Sequence, residues 1–216
     1  MFVLNHMTRN PIFITPDERV DAASAILKEH RIRRLPVVED GKLVGIVTET
    51  DLVRVAPSAA TTLSRYEINS LLAKISIREI MSDKVISVSE NAPIEEAALL
   101  MSMHKIGGLP VVSEVGTLVG IITETDIFNA LVDIMGLSEG KDRIAIEVDN
   151  KVGVVQDIAG IFADAGFNID SFVTCKRDMG KYDIIVRGDF MNAQSLIEEL
   201  KSHGYHVIHS DRIGKK

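Results

Sequence analysis

Thr48 and Asp51 stand three residues apart in LVGIVTETDL, and Thr123 and Asp126 repeat that spacing in LVGIITETDI. A buried strand needs the apolar letters of these stretches, but not the Gly-x-x-Thr-x-x-Asp that runs through both. Threonine at a strand-to-helix junction caps the following helix with its hydroxyl. Backbone N–H groups of the first helical turn, where Glu49 and Glu124 also fall, favour an anion such as a phosphate. An ionised aspartate accepts hydrogen bonds without donating any, which suits a pair of ribose hydroxyls. Helix capping alone accounts for the same letters; a nucleotide site is the other reading, to which their return in matched context adds weight. Gly45 and Gly120 precede each pair, where a side chain would obstruct a ligand or a neighbouring backbone.

Cations are distributed unevenly between the two stretches. His30, Arg31, Arg33 and Arg34 precede the first, a cluster suited to polyphosphate. The matched residues before the second are His104, Lys105, Gly107 and Gly108, with one firm cation and extra backbone room. Two unequal sites are expected, with a charged phosphate tail near Arg33 or Arg34; a solvated basic loop is the alternative.

The elements that must position these residues also come twice. Met7 aligns with Met81, Val20 with Ile94 and Pro36 with Pro110, each 74 apart; Gly45 with Gly120 and Asp51 with Asp126 are 75 apart. The one-residue slip falls in the turn between VVEDGKLVG and its counterpart VVSEVGTLVG, where insertions settle. Each copy reads as strand, helix, strand, turn, strand, helix. In the first, Ile12–Thr15 is a strand, Val20, Ala23, Ile26 and Leu27 recur at helical spacing, and Leu35–Val38 and Leu43–Thr48 form a hairpin. A helix then runs from Leu52 to before Pro57. Pro57–Thr62 reads as a loop and Ser64–Ala73 as an amphipathic linking helix. A unit of this size has a small core and gains by packing on its twin.

With a methionine entry, Leu-Pro-Val-Val (led by Arg-x in the first copy) and Gly-h-h-Thr-x-x-Asp, each copy resembles a CBS domain, and the two together resemble a Bateman module over Phe2 to Leu137. The resemblance implies adenosyl ligands in clefts between the repeats. Thr48 with Asp51, and Thr123 with Asp126, would hold the phosphate–ribose portion. By position, Ile14, Thr15 and Pro16 in one copy and Val88 and Ser89 in the other would cover the base. Residues around the matched prolines are Arg33, Arg34, Leu35 and Pro36 against Gly107, Gly108, Leu109 and Pro110.

Beyond Leu137-Ser138-Glu139-Gly140-Lys141 the pattern changes. Strands are expected at Arg143–Val148, Asn168–Lys176, Tyr182–Arg187 and Tyr205–Ser210, and helices at Val154–Ala165 and Asn192–His203. This βαββαβ order is ferredoxin-like. With Asp149, Gly153 and Gly-Phe-Asn168-Ile169-Asp in place, the segment resembles an ACT domain. That implies subunit pairing and a small effector near Asp149, Val152 and Gly153 and the Asn168–Ile169 turn, although Val152 stands where many members have proline. Tight-turn geometry is the other reading of Gly153 and Asn168. His206 and His209 are expected on opposite faces of a strand, which argues against a shared metal ion. Cys175, the lone cysteine, is expected as a buried thiol.

The expected architecture is therefore α+β: CBS repeats over 1–57 and 76–137, a linker over 58–75, and an ACT domain over 141–216. A net charge of −7 makes nucleic acid a poor partner, and neither the part before Leu137 nor the part after it is basic. No apolar run approaches the ~20 residues of a membrane helix. One cysteine and a start lacking signal-peptide character fit a cytoplasmic setting. Walker loops, paired zinc motifs and nucleophile–base signatures are missing from the sequence. The expectation is a non-catalytic, homodimeric sensor of an adenine nucleotide (AMP or ATP type), without metal, acting on a target protein in trans. A CBS pair followed by an ACT domain resembles the acetoin utilisation B-type proteins, which implies a link to acetoin or acetyl-CoA metabolism. A ligand-free scaffold, or an enzyme of another type with Asp51 and Asp126 as acid–base groups, are the competing readings.

Overall fold

A computed structural model describes residues 1–56, 62, 64–137, 140–191 and 193–213. The expected loop at Pro57–Thr62 and the start of the helix at Asn192 fall largely outside the described residues. The chain divides into two compact units, Met1–Ile127 and Phe128–Lys216.

In the first unit the order is β1 (Thr8–Arg9), α1 (Val20–His30), β2 (Arg34–Glu39), β3 (Lys42–Thr48), α2 (Glu49–Val55), α3 (Arg65–Leu72), β4 (Val88–Ser89), α4 (Ile94–His104), β5 (Gly108–Val112) and β6 (Leu118–Thr123). The unit boundary falls within α5 (Glu124–Ile134). Asp40 and Gly41 both have positive φ, 50° and 77°, so the β2–β3 hairpin turns on the Asp-Gly pair that favours a type I′ geometry. α1 and α4 each close on a non-glycine residue in the left-handed region, Arg31 and Lys105, again 74 apart. Val20, Ala23 and Leu27 bury one face of α1 against Leu35, Val37 and Val47; Ile94, Ala97 and Met101 are buried on α4, as are Leu109, Val111 and Ile122 on β5 and β6.

The repeats exchange their entry segments. Val3 N donates to Ala92 O at 2.9 Å, Leu4 N to Glu90 O at 3.0 Å, and Ile94 N to Met1 O at 3.1 Å. Shifted by 74 residues, the same bonds recur as Ile77 N to Glu18 O, Arg78 N to Pro16 O and Val20 N to Ile75 O. β1 pairs with β6 of the other repeat, and Ser82 reciprocally bridges Ile46 on β3. The expected Ile12–Thr15 strand is consequently corrected. Thr8–Arg9 is bonded to the second repeat, and of the stretch Ile12–Thr15 only Ile14 bridges its own hairpin, in parallel with Val37.

The second unit contains β7 (Lys141–Asp149), α6 (Val154–Asp164), β8 (Ser171–Lys176), β9 (Lys181–Gly188), α7 (Ala193–Ser202) and β10 (His206–Ile213). Its antiparallel sheet runs β10-β7-β9-β8, the ferredoxin-like arrangement. Ile158, Ile161 and Phe162 of α6 and Leu196 and Leu200 of α7 pack on Ile144, Ile146, Ile184 and Val186. Two expectations change here. A register shift between Val207 and His209 sets His206 opposite Glu147 and His209 opposite Ala145, so the bulge brings both histidines to one face. Cys175 is exposed, because burial fades along the edge strand β8 after Ser171. Among the described residues no helix is long and apolar enough to cross a membrane.

Candidate functional site

Each Thr–Asp pair closes on itself. Thr48 N and Oγ1 donate to Asp51 Oδ2 at 3.0 and 2.6 Å, and Asp51 N returns a bond to Thr48 Oγ1 at 3.4 Å. Thr123 N and Oγ1 likewise donate to Asp126 Oδ2, both at 2.8 Å. The first is a full capping box and the second shows its Asp126 half, so the helix-design reading of the sequence holds for Oδ2. A carboxylate has lone pairs to spare, and Oδ1 of each aspartate makes no hydrogen bond among the described residues. Arg54 Nη1 lies 3.8 Å from Asp51 Oδ1. Both aspartates are half-buried, so the spare oxygens are fixed in place and reachable.

The base-covering candidates lie along the hairpins, Ile14 beside β2 and Val88 and Ser89 beside β5. Ile14 is buried and bonds both ways to β2, from its N to Pro36 O and from Val38 N to its O. Pro16 is buried and accepts from Arg78, while Thr15 is exposed. In the second copy Val88 is buried and Ser89 exposed, with Ser89 Oγ accepting from Asn91 N. Leu35 and Leu109 are fully buried core residues, and Pro36 and Pro110 are buried beside them. Glu49 N and Glu124 N donate to Arg33 O and Gly107 O, which ties each helix start to the strand entry before it.

The glycines expected where a side chain would obstruct a ligand or a neighbouring backbone lie against the other repeat's entry segment, with a methionine side chain at both and the Thr8 backbone oxygen at Gly120. A Cβ built on Gly45 would lie 2.5 Å from Met81 Sδ, and one on Gly120 would collide with Met7 Sδ. The sequence held the signal, since Met and Gly recur together in both copies, but the exchange of entry segments that brings them into contact is a tertiary fact. The room at Gly107 and Gly108 is filled in the same way. Arg34 Nη1 donates to Gly108 O at 3.0 Å, and a Cβ on Gly107 would come within 2.9 Å of Arg34 Nη2 and 3.0 Å of Glu124 Oε2. Partial burial pulls the Arg34 guanidinium below arginine's usual range, a shift that Glu124 opposes and neighbouring Arg33 reinforces. Arg33 is turned elsewhere: with Glu49 it lines a groove of about 840 Å³ between α1, α2 and α3, whose walls include Leu27, Leu52 and Ile68.

In the second unit Asp149 and Val152 line a cleft of about 470 Å³ with Lys151, Lys181, Tyr205 and His206. Gly153 has φ 95° at the start of α6, as its turn reading requires. Asn168 and Ile169 lie beyond the other end of that 11-residue helix, roughly 16 Å away along its axis, so one chain does not bring them to the Asp149 loop. Among the described residues no group of three or more His, Cys, Asp or Glu side chains forms a metal cage.

Comparison with known proteins bears on the family and the fold. The family model for the CBS domain matches residues 3–58 and 77–133, and that for the ACT domain matches 143–204. Protein MJ1225 from Methanocaldococcus jannaschii is 35% identical over 125 residues, 57% of this chain and 44% of that protein, so the chain spans less than half of this relative. The CBS domain pair of protein MJ0100, solved with 5′-methylthioadenosine and S-adenosyl-L-methionine, has a TM-score of 0.51 and 31% identity over 62% of this chain and 97% of its own. A protein from Vibrio cholerae provisionally assigned to acetoin utilization (AcuB) has a TM-score of 0.52 and 33% identity over 63% of this chain and 94% of its own.

Proposed function

The chain belongs to the CBS-domain family and carries an ACT domain behind its CBS pair, and from that premise we propose that it is a regulatory sensor of an adenine nucleotide. The observation that carries the reading is the matched pair of half-buried aspartates. Asp51 and Asp126 each keep one carboxylate oxygen for a ligand while the other is committed to the helix cap. Ribose hydroxyls are the donors that suit such an acceptor. The solved CBS pair with bound adenosyl compounds supports the same ligand class. Thr15 and Ser89 are then at the base, with Ile14, Pro16 and Val88 as its apolar wall, and Arg34 meets the phosphates.

The two sites are unequal in this account, because Arg34 belongs to one repeat and reaches the glycines of the other. A ligand shifts the arrangement of the repeats only through its differential affinity for the alternatives. A phosphate that draws Arg34 off Gly108 O supplies such a difference. The protein works as a homodimer on a target in trans, in the cytoplasm, with acetoin or acetyl-CoA metabolism as the setting that the Vibrio cholerae relative suggests. The ACT domain contributes pairing or a small effector at the Asp149–Gly153 loop. Calorimetry of the full chain with AMP, ADP, ATP, NAD, S-adenosylmethionine and cyclic di-AMP tests this. Saturable binding without turnover is expected; flat titrations leave a ligand-free scaffold, and turnover makes it an enzyme.

A further inference from the structure

The sheet face of the second unit turned away from α6 and α7 holds an arginine with two orphaned donors among the described residues. Alternation along β9 sends Ile184 and Val186 into the core and turns Ile185 and Arg187 to the other face. Arg187 is only 4% exposed, yet its Nε and Nη1 have no hydrogen-bond partner among the described residues. Directly across the strands stand Ser171 on β8 and Arg143 on β7, which share its face. Arg143 Nη1 lies 3.3 Å from His209 Nδ1, a contact that brings no negative charge. Burial first, and then the charge of Arg143, pull the Arg187 guanidinium below arginine's usual range.

The acids nearby are engaged elsewhere. Asp142 accepts from Phe190 N at 3.0 Å and lies 3.5 Å from Arg212. Asp170 and Asp189 take Lys141 at 3.1 and 2.8 Å. Asp211, opposite Arg143 on β10, accepts from the N–H of Arg212 at 2.7 Å. A buried guanidinium with orphan donors beside a second cation is costly until an anion completes it.

We propose that Arg187, Arg143 and Ser171 form a binding site for a small oxyanion, a carboxylate or phosphate group, on this sheet face. The guanidinium N–H groups give charge-assisted bonds and the Ser171 hydroxyl one more donor. The site is separate from the Asp149–Gly153 loop, since Arg143 and Asp149 are roughly 20 Å apart along β7.

The test is calorimetry of the full chain at constant ionic strength, with inorganic phosphate in one arm and acetate in the other. Wild type is expected to show a binding component in at least one arm, and the arm that responds tells phosphoryl from carboxyl recognition. Arg187→Met loses that component and melts no lower than wild type without the anion, because a buried unpaired charge is gone. Arg143→Gln weakens it about tenfold. Silence in both arms, or a component retained in Arg187→Met, overturns the proposal. An Arg187→Met chain of lower oligomeric state by light scattering assigns the arginine to a carboxylate of a second copy and overturns it too. Should Arg187→Met not fold, an undiminished response in Arg143→Gln has the same force.

Discussion

Met81, from the second repeat, occupies the space that a Cβ on Gly45 of the first would need. Its counterpart is Met7 against Gly120, so the contact crosses the repeat boundary twice with opposite polarity. Gly45→Ala is therefore an overpacking change at a strand glycine. Relief of unfolded-state entropy favours alanine by about 0.4–1 kcal/mol, but crowding in a packed core costs about 1–3 kcal/mol. The net expectation is a loss of about 1–2 kcal/mol in urea unfolding, since the Met81 sulfur can yield only partly. Combining it with Met81→Ala should restore part of that loss in a double-mutant cycle; strictly additive effects would refute the contact.

Gly108→Ala meets a harder obstacle. Its Cβ would lie 2.8 Å from Arg34 Nη1 and 3.0 Å from the backbone oxygen of Ile122, which cannot swing aside. Destabilisation of at least about 2 kcal/mol is expected in the same unfolding measurement. Gly41→Ala, where φ is 77° but space is open, should cost only the left-handed penalty of about 1 kcal/mol.

Thr48→Val removes a hydroxyl that both donates to Asp51 and accepts from its N–H. A loss of about 1 kcal/mol in unfolding free energy is expected. Thr123→Val, whose hydroxyl donates to Asp126 Oδ2, should lose no more than that, and a null effect at Thr48 would dismiss its capping box as a structural element.

Acid should weaken the second unit through Glu147 and Asp189. A hydrogen bond from Lys181 holds the Glu147 carboxyl below its usual range, and one from Lys141 does the same to Asp189. Both folded values are depressed, so their stabilisation is present above the unfolded carboxylate range near about 4. It fades as pH falls through the lower folded values. Thermal midpoints measured from pH 6 to pH 3 should fall less steeply for Glu147→Gln than for wild type; parallel curves would contradict the assignment.

The sequence shows the repeat, the hairpins and the ferredoxin-like order because each rests on local periodicity and turn residues. Leu35–Val38 and Leu43–Thr48 pair as two apolar runs around a hairpin signal should, and Asp40-Gly41 turns between them. The exchange of entry segments was invisible, since Thr8 and Ile121 meet only after the repeats dock. The path of Arg34 to Gly108 was hidden for the same reason: nothing local tells a basic loop from a cation crossing to a neighbour. At His206 and His209, strict alternation misled because the bulge at Ile208 resets the phase.

The central claim concerns Asp51 and Asp126 as ribose acceptors. Its most direct measurement is a calorimetric titration of AMP and ATP into wild type and the Asp51→Asn/Asp126→Asn double variant, with folding checked by circular dichroism. An amide oxygen preserves the cap acceptor but replaces the second carboxylate oxygen with a donor. Affinity should fall about tenfold or more for both nucleotides. Binding of undiminished strength in the double variant, or none in wild type, would contradict the account.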